Sequence, residues 1–198
     1  MRPRLRPLFP ALAVLACADA GGPPPGGGAV AIVASVHPVA AIVGALASED
    51  ARVTVLLPPG AHADTYEPTP RMARAVAGAD LIVRVGAGLD DWVGTGAADA
   101  AELVLSAGGE NPHVWLDPVR VREDFLPRLT AALAVVYPER AEGIRARAAA
   151  FADSLTALDR EIGVLLSAVP TRRFISAHPA WTHFAERYGL EQVGVLHP

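Results

Sequence analysis

Short apolar runs that are rich in β-branched residues alternate with helical patterns along most of this chain. Strand-like runs occupy residues 29–36, 52–58 and 81–86, with a shorter candidate, "AELVLS", at residues 101–106, and helical spacing is seen in "HPVAAIVGALA" and "PRMARAVAGA". Strands that are apolar on both faces and separated by helices are typical of a parallel sheet with helices on both sides. The alternation therefore predicts an α/β fold, with a parallel-sheet lobe covered by helices over residues 29–117.

A long helical segment follows this lobe. Asp117 is suited to cap a helix that begins at Pro118, and helical spacing continues almost to Ala168, with Pro127 and Pro138 as expected kinks or restarts. A straight helix of about 50 residues would exceed one small domain at about 1.5 Å per residue. We therefore expect residues 118–169 to link two lobes. Residues 170–198 hold a strand, a helix and a strand, which predicts the start of a second, truncated α/β lobe.

The first 28 residues differ from the rest in composition. Arg2, Arg4 and Arg6 precede an apolar run from Leu8 to Ala16, which is too short to span a bilayer and is typical of a signal peptide over residues 1–17. Cys17 ends this run and resembles the lipidated cysteine of a bacterial lipobox, although a plain signal peptide with an incidental cysteine is the alternative. The Gly- and Pro-rich residues 18–28 predict a tether. The chain is expected to be exported, on the outer side of the cytoplasmic membrane.

Charge and motifs exclude several classes of function. The net charge is only −4 and the basic residues are dispersed, so no nucleic-acid partner is expected. The chain has no Gly-x-Ser-x-Gly elbow and no P-loop, and "VGAGLDD" lacks the third glycine of a dinucleotide-binding turn.

Four histidines fall at or near the predicted carboxyl ends of strands or in adjoining loops, namely His37, His62, His113 and His178. Ligands bind at these ends in open parallel sheets, and imidazole nitrogen suits divalent transition metals. The spacing alone is no metal motif, so composition and periodicity leave open an exported ligand-binding protein or a hydrolase.

Three blocks carry a specific resemblance: "VTVLLPPGAHADTYEPTPRMARAVAGADLIVRVGAGLDDWV", "NPHVWLDP" and "FISAHPAWTHFAERYGL". They resemble the periplasmic metal-binding proteins of zinc and manganese ABC importers. The resemblance implies two α/β lobes, one long linking helix and a metal in the cleft between the lobes. It implies His113 and His178 as two ligands and places a fourth, acidic ligand beyond Pro198.

The first ligand is where the sequence departs from the family. The family block usually reads Pro-Gly-x-x-Pro-His-x-Tyr-Glu-Pro, which places its histidine at Asp64, whereas His62 comes two residues early. Asp64 could supply an oxygen, His62 could enter by another loop path, or this ligand could be lost. The flanking Gly60 and Tyr66 match the block and favour Asp64.

The resemblance implies a function without catalysis. We expect a monomeric solute-binding protein, attached to the membrane only through a lipid anchor, that delivers a divalent metal to an ABC permease. His178 favours zinc, while an oxygen from Asp64 would favour manganese; zinc is preferred here. The alternatives are a metal-dependent hydrolase with Glu67 as its base, or a metal-binding surface adhesin.

Overall fold

The computed structural model describes residues 30–47, 51–94, 100–106 and 111–196. The predicted signal peptide, the tether and Cys17 lie outside these residues. No helix within the described ranges combines the length and the apolar character needed to cross a membrane.

The first lobe is built on a four-stranded parallel sheet. Its strands are β1 (Ala31–Ala34), β2 (Arg52–Val55), β3 (Leu81–Gly86) and β4 (Ala101–Ser106), in the spatial order β2-β1-β3-β4. The predicted α/β class is confirmed. Because β1 has a neighbour on each side and the chain crosses over between them, the loops after β1 and β3 diverge and leave a crevice at this edge.

Both faces of the sheet are covered, as predicted. Ile32 and Leu81 face a core that α1 (His37–Leu46) and the linking helices complete. Val33 and Ile82, one residue further along the same strands, face a second core with α2 (Pro70–Ala77). Successive side chains of a strand point to opposite faces, so continuous apolar runs are what this sandwich requires.

The linking segment is helical, with the expected break at Pro138 and a change of helix type just before Pro127. Asp117 accepts hydrogen bonds from the backbone N–H groups of residues 119 and 120 and so caps α3 (Pro118–Arg120). A π-helical turn (Val121–Phe125) leads into α4 (Leu126–Val136), and a 3-10 turn that begins at Pro138 separates α4 from α5 (Ala141–Ser167). Helix α5 has 27 residues and is about 40 Å long.

The last part of the described chain forms a second, smaller sheet. Strands β5 (Arg173–Ser176) and β6 (Glu191–Val195) pair in parallel around α6 (Thr182–Tyr188). This unit is attached to α5 by Asp159, which accepts two hydrogen bonds from the Arg187 guanidinium at 2.9 and 2.6 Å and one from the Tyr188 hydroxyl at 3.0 Å.

Candidate metal centre

A cleft of about 560 Å³ lies at the carboxyl ends of the strands. The loops that follow β1, β2, β3 and β5 line it, together with residues 111–113 and Trp115. The four loop histidines that the sequence singled out, His37, His62, His113 and His178, all border this cleft. The topology therefore brings together side chains that are up to 141 positions apart in the sequence, between His37 and His178.

His113 and His178 contact each other in the cleft. Their Nε2 atoms are 3.3 Å apart and their ring centroids 5.0 Å apart. Two nitrogens that share one tetrahedral zinc at bond lengths of about 2.0–2.1 Å lie about 3.3 Å apart. The two rings thus have the separation that a common zinc ion would require.

The protonation state of His113 also suits a metal ligand. Burial, and then the charges of His178 and His183, lower the pKa of His113 to about 4. The imidazole is consequently neutral at neutral pH, with a lone pair on one ring nitrogen. A metal can bind that nitrogen without first displacing a proton.

Asn111 contacts the Nδ1 side of the His113 ring, and the sequence analysis did not single it out. Its Oδ1 accepts a hydrogen bond from the His113 backbone N–H at 3.0 Å and lies 2.8 Å from His113 Nδ1. The one available signal was its place two residues before the histidine in "NPH", where Asn commonly turns the backbone. Its contacts with the second lobe, 68 or more positions away, had no signal in the sequence.

The loop that contains His62 and Asp64 is held in place by Trp92. Trp92 donates a hydrogen bond from Nε1 to the Ala63 carbonyl at 2.7 Å, and its ring packs edge-on against Tyr66 at 5.3 Å. His62 is exposed and borders the cleft. The Asp64 backbone lies in a 3-10 turn (Ala63–Thr65), and its side chain falls outside the part of the chain that the structure describes.

The described side chains supply a pair of ligands and no larger set. Within the described ranges, no group of three or more His, Cys, Asp or Glu residues is arranged to hold a metal ion. The first-lobe loop must therefore move, or use the Asp64 side chain, if it is to add a third donor beside His113 and His178.

The turn after β3 forms the floor of the cleft and explains the glycines of "VGAGLDD". Gly86 has φ +81°, and a Cβ there would lie 2.6 Å from the Ser106 carbonyl oxygen, so only glycine fits. The fully buried Asp90 accepts hydrogen bonds from the backbone N–H groups of Val85 and Gly86 at 2.6 and 2.8 Å. These glycines serve a tight turn against β4, in agreement with the absence of a dinucleotide motif.

Comparisons with known proteins agree with this architecture. The family model "ZnuA: Zinc-uptake complex component A periplasmic" matches residues 32–198. A Thermotoga maritima protein named for metal binding is 30% identical over 168 residues, which are 82% of this chain and 62% of that protein. The zinc-binding lipoprotein AdcA of Streptococcus pneumoniae is 28% identical over 196 residues, covering 85% of this chain and 39% of the relative.

A solved structure shows the same fold. The crystal structure of a ZnuA deletion mutant with zinc bound superposes with a TM-score of 0.77 at 28% identity, covering 85% of this chain and 71% of the other. This chain thus spans less than two thirds of the length of the Thermotoga and streptococcal relatives. The family match covers well over half of the chain, and the protein therefore belongs to the ZnuA family of periplasmic zinc-uptake components.

Proposed function

We propose that this protein captures a divalent transition metal, with zinc preferred to manganese, in the cleft and passes it to an ABC permease. The observation that carries the proposal is the His113–His178 pair, with Nε2 atoms 3.3 Å apart at the carboxyl ends of the strands. Two imidazole nitrogens favour zinc over harder cations. Among the similar proteins, AdcA is named as zinc-binding and the ZnuA deletion mutant was solved with zinc bound. Family membership supports a binding protein, and not the hydrolase or the adhesin that the sequence left open.

The proposed ligand set includes one donor from the first lobe. His113 and His178 contribute imidazole nitrogens, and Asp64 contributes a carboxylate oxygen from the position that the family register assigns to a histidine. His62 is the alternative donor, since it borders the same cleft and lies two residues earlier. Zinc binds both nitrogen and carboxylate oxygen at about 2.0–2.2 Å, so either side chain is chemically suitable.

The cellular setting is part of the same proposal. Export by the segment 1–17, lipidation of Cys17 and the tether 18–28 would hold a monomer at the outer face of the cytoplasmic membrane, with no nucleic-acid partner. In this arrangement the metal is cargo. The protein binds it reversibly and carries out no reaction on it.

Zinc titration of single variants tests the ligand set. Asp64→Ala should weaken zinc binding at least about tenfold, which corresponds to about 1.4 kcal/mol, and His113→Ala should weaken it at least as much. His62→Ala should have a smaller effect. His37→Ala is the matched control, because His37 borders the cleft outside the proposed set.

The same titrations can contradict the proposal. A wild-type protein that binds neither zinc nor manganese would overturn metal capture altogether. A larger loss in His62→Ala than in Asp64→Ala would show that His62 is the first ligand.

A further inference from the structure

The side-chain amide of Asn111 contacts both lobes next to the His113–His178 pair. On one side, Oδ1 accepts a hydrogen bond from the backbone N–H of His113 at 3.0 Å and faces its Nδ1 at 2.8 Å. On the other side, Nδ2 donates to the Pro179 carbonyl at 2.6 Å and to Thr182 Oγ1 at 3.1 Å. One amide therefore contacts a proposed ligand of the first lobe and the residue that follows His178 in the second.

Two backbone groups fix the orientation of this amide. A backbone N–H can only donate, so the atom that faces the N–H of His113 must be the oxygen. A carbonyl can only accept, so the atom that faces Pro179 must be the nitrogen. A flipped amide would set donor against donor and acceptor against acceptor.

The fixed amide in turn determines the tautomer of His113. Because Oδ1 only accepts, the Nδ1 atom 2.8 Å away must carry the proton, and Nε2 then carries the lone pair. That Nε2 atom is the one that lies 3.3 Å from Nε2 of His178. The ring is thus oriented with its metal-binding nitrogen in the cleft.

The backbone of Asn111 adds a second connection between the lobes. Its carbonyl accepts a hydrogen bond from Nε2 of His183 at 2.7 Å, and His183 is only 4% exposed. The segment that bears His178 is therefore held against Asn111 through Pro179 and Thr182, and through His183 of α6.

We propose that Asn111 is a positioning residue that sets the Nδ1–H tautomer of His113 and holds the His178 segment opposite it. Hydrogen-bonded partners of this kind orient metal-binding histidines, and their loss commonly reduces metal affinity about ten- to a hundredfold. The inference deepens the proposed metal capture and rests on it for its functional consequence, although the tautomer itself is a property of the metal-free protein.

Proton–nitrogen correlation spectra of the histidine rings in the metal-free chain test the tautomer directly. Wild-type protein should show His113 protonated at Nδ1. Asn111→Ala removes the acceptor and should shift His113 towards the Nε2–H tautomer. Asn111→Asp keeps an oxygen at this position and should restore the Nδ1–H signal while losing donation to Pro179. Thr182→Val is the matched control, because it removes only an acceptor of the second lobe and should leave the tautomer unchanged.

Zinc titration of the same variants gives the functional readout. Asn111→Ala should bind zinc about ten- to a hundredfold more weakly than wild type, and Thr182→Val, which loses one of the contacts that hold the His178 segment, should show a smaller loss. Retention of the Nδ1–H tautomer in Asn111→Ala would overturn the inference, as would an altered tautomer with unchanged zinc affinity. If Asn111→Ala fails to fold, loss of the Nδ1–H signal in Asn111→Asp overturns it and its retention supports it. A wild-type protein without zinc binding would refute the proposed function, while the spectra would still decide the tautomer.

Discussion

Within the residues that the structure describes, the two sheets differ sharply in how much apolar surface they bury. Ile32, in β1 of the first sheet, is fully buried, whereas Ile175, in β5 of the second, is 62% exposed. The same contrast holds for the neighbouring β-strand residues, since Val33 is 2% exposed and Val193 of β6 is 41% exposed. The same residue types in parallel strands thus bury very different fractions of their surface in the two units.

Among the described residues, the two units are held by contacts of different kinds. The first sheet lies between two apolar cores, so burial of its strands drives its folding. In the second sheet, the described contacts to the rest of the chain include directional polar bonds, from Arg187 and Tyr188 to Asp159 and from Asn111 to Pro179. We therefore expect apolar substitutions to matter most in the first unit and polar substitutions in the second.

The largest expected effect comes from truncating matched isoleucines. Ile32→Ala should reduce the free energy of unfolding by about 2–5 kcal/mol, because it leaves a cavity in a packed core. Ile175→Ala should change it by less than about 0.5 kcal/mol, since its side chain is largely in solvent. Urea denaturation followed by circular dichroism gives both values. Equal losses in the two variants would show that the exposed sheet packs as tightly as the buried one.

A smaller effect is expected from the ion pair that attaches the second unit to α5. Asp159→Ala removes the bonds to Arg187 and Tyr188 and should destabilise the β5–β6 unit by roughly 1 kcal/mol, as the pair is partly exposed. Hydrogen exchange of the β5 and β6 amides should then be about fivefold faster. The control is Asp153→Ala, an exposed acidic residue on the same helix.

The pH dependence of this pair has a definite sign. The hydrogen bonds from Arg187 hold the pKa of Asp159 below its ordinary value, against the opposing effect of burial. The stabilisation is therefore complete above the ordinary pKa of an aspartate and is lost as the pH falls through the lower, folded value. Exchange rates in Asp159→Ala that match wild type at neutral pH would mean that other contacts hold the second unit.

A further test concerns His113, which lies at the boundary between the two units. Because the folded protein lowers the pKa of His113 to about 4, chiefly through burial, the unfolded chain takes up this proton first as the pH falls. The metal-free protein should therefore lose stability as the pH falls from about 6.5 to about 4, and this loss is absent above that window. His178→Ala removes one of the neighbouring charges and should raise the pKa of His113, measured by ring titration in NMR spectra. An unchanged pKa of His113 would show that the charge of His178 does not affect it.

The sequence was sufficient for those features that local patterns encode. Apolar runs identified all four strands of the first sheet, and Asp117 and Pro138 marked helix boundaries where the structure has them. The run over residues 29–36 overstated β1, which spans only Ala31–Ala34, because the buried Ser35 and Val36 already lead into α1. Strand order depends on crossovers between distant segments and has no local signal.

The candidate site could be predicted only in part. His113 and His178 stood out as loop histidines and through the family resemblance. The roles of Asn111 and His183 depend on contacts across 68 and 72 positions, which arise only when the lobes meet. The choice of Asp64 over His62 as the first ligand stays a prediction. The register of the family block favours Asp64, whereas a different loop path would favour His62.

The carboxylate of Asp90 occupies backbone donors that an anion could otherwise use. Backbone N–H groups in a glycine-containing turn after a parallel strand commonly bind the phosphate of a nucleotide. In this turn the N–H groups of Val85 and Gly86 are already bonded to a carboxylate that belongs to the chain itself and is fully buried. Those two donors are therefore not available to an incoming anion, and the charge of Asp90 is itself paired with Arg84 Nη1 at 4.0 Å. The fold thus carries an internal counterpart of the phosphate, because a side chain of the protein occupies the N–H groups of Val85 and Gly86 that a phosphate would use.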